Sequence, residues 1–142
     1  MARIQDILQA RGLYCVEAGQ TVLEVARRMS DLKVGAILVL EDGRLRGLIS
    51  ERDVMTRVVV ERRDPASALV RDVMSTNLAT IDESATLEDA MERMQEHKCR
   101  HLPVMRGDDV VGFLSMRDLM NYELASKTEE LQHMRAYISA GT

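Results

Sequence analysis

The chain has 142 residues and a formal charge of −4, with 46% hydrophobic and 30% charged residues. That is a folding composition, and its longest apolar run, Ala36–Leu40, is far short of the roughly 20 residues a bilayer span needs, with no basic start leading into an apolar leader. Residues 1–60 carry nine basic and eight acidic groups and residues 61–142 ten and fifteen, so neither half has the cationic excess of a nucleic-acid binder.

Taken in order, residues 3–10 place Ile4, Ile7 and Leu8 on one helical face. Tyr14–Glu17 reads as a short strand. Thr21 and Glu24 fit a capping box ahead of a helix in which Val22, Val25, Ala26 and Met29 recur at helical spacing. Ala36–Leu40 reads as a buried strand, Glu41-Asp42-Gly43-Arg44 as a tight turn and Leu45–Ile49 as a second strand, with a second helix opening at Ser50. Glu61–Ser67, polar and with a proline, reads as a linker. A strand then falls at Leu78–Asp82, and Thr86 with Asp89 forms a weaker capping box before Leu87, Ala90, Met91 and Met94. Strands His101–Met105 and Val110–Leu114 flank the turn Arg106-Gly107-Asp108-Asp109, and a helix opens at Ser115. After Met120 a helical tail runs to about Ser139. Its Leu124, Leu131 and Ile138 sit seven apart with Met134 nearby, a stripe suited either to the chain's own body or to a second subunit.

The second half repeats the first. A shift of 65 residues lays Thr21–Met55 on Thr86–Met120 without a gap and with ten identities, among them Gly47/Gly112, Ser50/Ser115, Arg52/Arg117 and Asp53/Asp118. Upstream, Ile4–Leu8 resembles Val70–Met74 after one further residue of shift. The fold expected is α+β, two β-α-β-β-α repeats about a pseudo-twofold axis with extra N-terminal and C-terminal helices. Its parts are a first motif over residues 1–62, a linker over 63–67, a second motif over 68–124 and a tail over 125–142. Each copy alone is too small for a comfortable core, so the two are expected to pack together.

In both copies a glycine enters an apolar strand that ends at Ser-x-x-Asp opening a helix. A hydroxyl and free N–H groups at a helix start suit an anion, and a carboxylate one turn in suits a vicinal diol: together, phosphate and ribose. The same string also describes a helix cap with its acid near the positive dipole end. Arg52 and Arg117 read equally as phosphate ligands or as surface ion pairs.

Gly35–Val39 followed by Gly47-Leu48-Ile49-Ser50-Glu51-Arg52-Asp53, and Arg100-His101-Leu102-Pro103-Val104 followed by Gly112-Phe113-Leu114-Ser115-Met116-Arg117-Asp118, resemble CBS domains in tandem, a Bateman module. The resemblance covers about residues 8–123 and is similar in layout to small stand-alone bacterial CBS-pair proteins. It implies a non-catalytic regulatory module binding an adenosine-containing ligand in clefts between the copies. AMP is expected first, with ATP, NAD(H) or S-adenosylmethionine as other members of the class. It also implies a homodimer and an unidentified regulated protein.

Carried over by residue, the resemblance assigns ribose and phosphate to Ser50, Asp53, Ser115 and Asp118. It assigns the adenine slot to Cys15, Val16, Gly35, Ala36 and Ile37, and to Thr80, Ile81, Leu102 and Pro103. Val16, Ile37, Ile81 and Leu102 are expected to sandwich the base. Arg100 and His101, larger than their counterparts Gly35 and Ala36, are expected to reach phosphate instead of leaving room for a base. Leu38 stands opposite Pro103, so the two sites are expected to differ.

His97, Cys99 and His101 alternate, but no second cluster completes the four ligands zinc prefers, so no metal is expected. Cys15 and Cys99, the only two cysteines, read as small buried hydrophobes rather than nucleophiles, in a reducing, cytoplasmic setting. No nucleophile–base pair or phosphate loop is present, and the barrel of about 250 residues that carries such a module in IMP dehydrogenases does not fit here. The competing expectation is a structural homodimer whose Ser-x-x-Asp corners only cap helices.

Overall fold

The computed structural model describes residues 2–8 and 13–140. A short helix α1 (Ile4–Ile7) is followed by β1 (Cys15–Glu17), α2 (Val22–Leu32), β2 (Ala36–Glu41), β3 (Arg44–Ser50) and α3 (Glu51–Val54), the last continuing as a π-helical segment over Met55–Val59. A second short helix α4 (Val70–Val73) precedes β4 (Ile81–Asp82), α5 (Leu87–His97), β5 (His101–Arg106), β6 (Asp109–Ser115) and α6 (Met116–Ala140). The β-α-β-β-α unit therefore occurs twice. The fourth strand is shorter than expected, and the second helix of copy two and the tail are one helix of 25 residues.

Each copy builds a three-stranded sheet in which the first strand pairs parallel to the second and the second antiparallel to the third. Both hairpins shift register at the same repeat position, Val39/Leu40 and Val104/Met105. The copy-one turn needs two left-handed residues, supplied by Asp42 (φ 53°) and Gly43 (φ 76°). Ile37 and Val39 point into the copy-one core, and Ala36 and Leu38, on the opposite face of β2, are buried as well. A sheet covered on both faces explains why β2 reads as a continuous apolar run.

Helices α2 and α5 are each capped by threonine and closed by a lysine in the left-handed region, Lys33 and Lys98. The complete capping box is in copy two, where Thr86 N–H donates to Asp89 Oδ2 and Asp89 N–H to Thr86 Oγ1. This reverses the expected ranking. The longer Glu24 side chain instead accepts from the Thr21 hydroxyl and from Gln20, leaving the reciprocal backbone bond unmade.

The two copies exchange their short helices. Val70 and Val73 of α4 lie in the core of copy one with Val22, Val25 and Ile49, and Ile4 of α1 lies in the core of copy two with Leu87, Ala90 and Leu102. Backbone bonds anchor each crossing: Val70 N–H to Gln20 O and Val22 N–H to Ala68 O in one, Ile4 N–H to Ala85 O and Leu87 N–H to Ala2 O in the other. The repeated glycines make room for these crossings. A Cβ on Gly47 would lie 2.7 Å from Met74 Sδ and 2.8 Å from Ser75 O, and one on Gly112 would lie 2.7 Å from the Leu8 side chain.

Candidate functional site

The two Ser-x-x-Asp corners fold alike at first. Ser50 N–H donates to Asp53 Oδ2 at 3.0 Å and Asp53 N–H to Ser50 Oγ at 3.1 Å; Ser115 N–H donates to Asp118 Oδ2 at 3.0 Å and Asp118 N–H to Ser115 Oγ at 3.0 Å. Each is a reciprocal capping box, so each aspartate spends one oxygen on its own helix start. Each helix start is also tied to the preceding strand entrance, Glu51 N–H to Gly35 O and Met116 N–H to Arg100 O.

Beyond the cap the corners part. The second oxygen of Asp53 accepts the Ser75 hydroxyl at 3.1 Å. Arg57, one turn on, lies 3.9 Å away and donates to Val73 O and Met74 O at 3.0 and 2.9 Å. Asp53 is thus buried at 8% exposure, fastened to the crossing segment after α4. At the repeat position of Arg57 stands Tyr122, and the counterparts of Ser75, at residues 9–10, lie outside the described residues.

Asp118 instead lines a cavity of about 430 Å³ between the copies. Asp6, Ile7 and Leu8 of the N-terminal crossing form one wall. Leu13, Tyr14, Val34 and Ala36 come from copy one, and Val111–Leu114, Asn121, Tyr122 and Ala125 from β6 and α6. Asp118, Asn121, Tyr122 and Ala125 share one helical face. The chain has only four aromatic side chains, and three of them, Tyr14, Phe113 and Tyr122, line this one cavity. Their scarcity in the sequence is the signal that could have marked them.

The other expected site residues are dispersed. Ala36 lines the cavity; Val16, Ile37, Ile81 and Leu102 are core residues of their own copies and none of them lines it. On a strand the side chains alternate, so residues whose backbone borders the cleft send their side chains the other way. The apolar side chains that do line the cavity include Val34, Ala36 and the aromatic ones. Cys15 is half-buried in β1, and Gly35 lies against the Glu51 carboxylate. Thr80 and Ile81 border a separate polar groove with Asp82, Asp89 and Glu92. Pro103 is buried in β5. Arg52, Arg100 and Arg117 are exposed.

His101 stacks on Phe113 with ring centroids 5.2 Å apart. Burial holds its pKa below the ordinary histidine value; the nearby Asp118 and Glu51 carboxylates pull upward and Arg100 adds to the depression. Burial likewise pushes the Cys15 and Cys99 thiols up, which makes both poor thiolate nucleophiles. His97 closes α5 and is exposed, away from the stacked His101 in β5. Among the described residues no helix is long and apolar enough to cross a membrane.

Residues 4–60 and 70–125 each match the family model described as the CBS domain. The chain is 32% identical over 128 residues to the CBS domain-containing protein YhcV of Bacillus subtilis, covering 90% of each. It superposes on a crystallised CBS domain with a TM-score of 0.82 at 27% identity, over 87% of this chain and 98% of that one. A CBS-domain pair crystallised with 5′-methylthioadenosine and S-adenosyl-L-methionine shares the fold at 16% identity, with a TM-score of 0.78 over 88% of this chain and 98% of the other.

Proposed function

The chain belongs to the CBS-domain family as a tandem pair, and on that premise we propose that it is a non-catalytic regulatory module that binds an adenosine-containing ligand in the cleft at Asp118. The observation that carries this reading is a cavity of drug-like size, about 430 Å³, holding an acid at a helix start together with Tyr14, Phe113 and Tyr122. In this reading Asp118 accepts from the ribose hydroxyls, and the aromatic side chains and Ala36 flank the base. The start of α6, whose dipole favours negative charge, faces the 5′ substituent. The ligand class is the one expected from the family: AMP first, then ATP, NAD(H) or S-adenosylmethionine. A related fold has been crystallised with two adenosine compounds, which supports the class and not the member. A cytoplasmic, homodimeric protein that passes ligand occupancy to a regulated partner completes the proposal.

A second reading holds for the other corner. Asp53 is committed to Ser50, Ser75 and the neighbourhood of Arg57, so there the Ser-x-x-Asp string acts as a structural clasp. The proposed stoichiometry is one ligand per chain.

Titration calorimetry with AMP, ATP, NADH and S-adenosylmethionine tests both statements. One of the four is expected to bind once per chain, and Asp118→Ala to weaken it by roughly 10–100-fold, the loss of one or two charge-assisted hydrogen bonds. Failure of all four to bind, or to raise Tm by mass action, would leave the structural homodimer as the account.

A further inference from the structure

The two crossing helices are held with unequal strength. At α4 both Val70 and Val73 are buried, and Arg57 donates to Val73 O and Met74 O at 3.0 and 2.9 Å. At α1 only Ile4 is buried. Ile7, at the repeat position of Val73, is half-buried, and Tyr122 in place of Arg57 has no guanidinium to hold the carbonyls of Ile7 and Leu8. The flanking bridge is longer as well: Leu87 N–H reaches Ala2 O at 3.3 Å, where Val22 N–H reaches Ala68 O at 2.9 Å. Segments with fewer buried side chains and fewer anchoring bonds are the ones that open first.

The weaker crossing also touches the cleft, since Asp6, Ile7 and Leu8 line the cavity together with Asp118 of α6. We infer that residues 2–8 are a ligand-operated strap, which leaves and rejoins copy two as a unit and is held down by a ligand in the cleft. Only the docked strap presents Asp6, Ile7 and Leu8 to the ligand, so the ligand binds the docked form better and shifts the population toward it. By reciprocity, whatever loosens the strap weakens the ligand. Undocking bares the slot that Ile4 fills among Leu87, Ala90 and Leu102, and frees the Glu83 and Ala85 carbonyls that accept from Gln5 and Ile4 N–H. An empty cleft is thereby reported as an apolar slot beside two unpaired acceptors. This coupling rests on the cleft at Asp118 being the ligand site.

Amide hydrogen exchange followed by NMR on the full chain, paired with calorimetry, tests it. Without ligand, Ile4 and Gln5 N–H are expected to show protection at least about tenfold lower than Val70 and Arg71 N–H, which make the equivalent bonds to Gln20 O and Ala18 O. AMP, ATP, NADH and S-adenosylmethionine are then added in turn. The compound that calorimetry shows to bind, at about 100 times its Kd, should raise the protection of Ile4 and Gln5 at least about tenfold. Ile4 is not among the residues lining the cavity, yet Ile4→Ala should raise the Kd roughly tenfold by lowering the docked fraction. Ile4→Val, the milder change, should lower the protection of Gln5 severalfold in a chain that still folds. Equal protection of α1 and α4 without ligand overturns the strap. So does calorimetric binding that leaves α1 protection unmoved, or a folded Ile4→Ala chain with wild-type affinity; both leave the ligand site standing. No binding by any of the four removes the ligand site itself, and the coupling with it.

Discussion

The corner at Asp53 and the corner at Asp118 have the same serine, the same aspartate and the same reciprocal cap, and they have become different objects. What separates them lies off the motif. A serine 22 residues downstream and an arginine one turn along the helix close the first, and a tyrosine at the arginine's position leaves the second lining a cavity. A duplicated string thus fixes local backbone geometry, and the residues packed around it decide what that geometry serves.

The comparison can be broken most sharply at the paired glycines. Gly47→Ala drives a Cβ against a backbone oxygen as well as a side chain, whereas at Gly112 only the end of Leu8 is in the way. Chemical denaturation should show Gly47→Ala losing about 2–3 kcal/mol, the cost of overpacking, and Gly112→Ala about 1 kcal/mol or less. Equal losses would mean that the two crossings are equally tight.

The next effect is at the aspartates themselves. Asp53→Ala leaves the Ser75 hydroxyl and the Ser50 N–H without their acceptor in a half-buried place and should cost about 1–2 kcal/mol with ligand affinity little changed. Asp118→Ala should do the opposite, with affinity falling and stability moving by about 1 kcal/mol. Calorimetry and melting on the same pair of variants separate the two roles.

A smaller effect comes from His101, which has Ala36 at its repeat position. Because folding depresses its pKa, the unfolded chain holds the extra proton first. Its contribution is therefore complete above about pH 6.5 and declines as pH falls from there toward the folded value. Tm measured from about pH 7 down to about pH 5 should fall less steeply in His101→Gln than in the wild type. Smallest is the pair of helix caps: Thr86→Ala should cost about 1 kcal/mol and Thr21→Ala less, since only the former breaks a complete box.

Much of this architecture was legible in the residues. The 65-residue shift, the threonine caps, the Asp42-Gly43 turn and the serine that opens each second helix are local signals, and apart from the shortened β4 and the fusion of α6 with the tail the elements appeared where their spacing put them. The capping boxes were legible as positions and not as strengths, because reach to the backbone N–H depends on one methylene. The exchange of α1 and α4 was not legible, since Ile4 and Val70 look the same whichever core receives them. Nor was the closure of one corner, which depends on Ser75 and Arg57, residues that belong to no motif. Val16, Ile37, Ile81 and Leu102 were placed at the base because their backbones border the expected cleft; strand alternation turned their side chains to the cores.

The exchanged helices have a consequence for the chain as a material. Neither half owns a finished interior: residues 1–62 carry the helix that completes the other half and lack the one that completes their own. A nick in the exposed stretch around Pro65 should therefore yield two fragments that stay associated and melt in a single cooperative step. Prepared separately, each fragment should remain unstructured until the other is added.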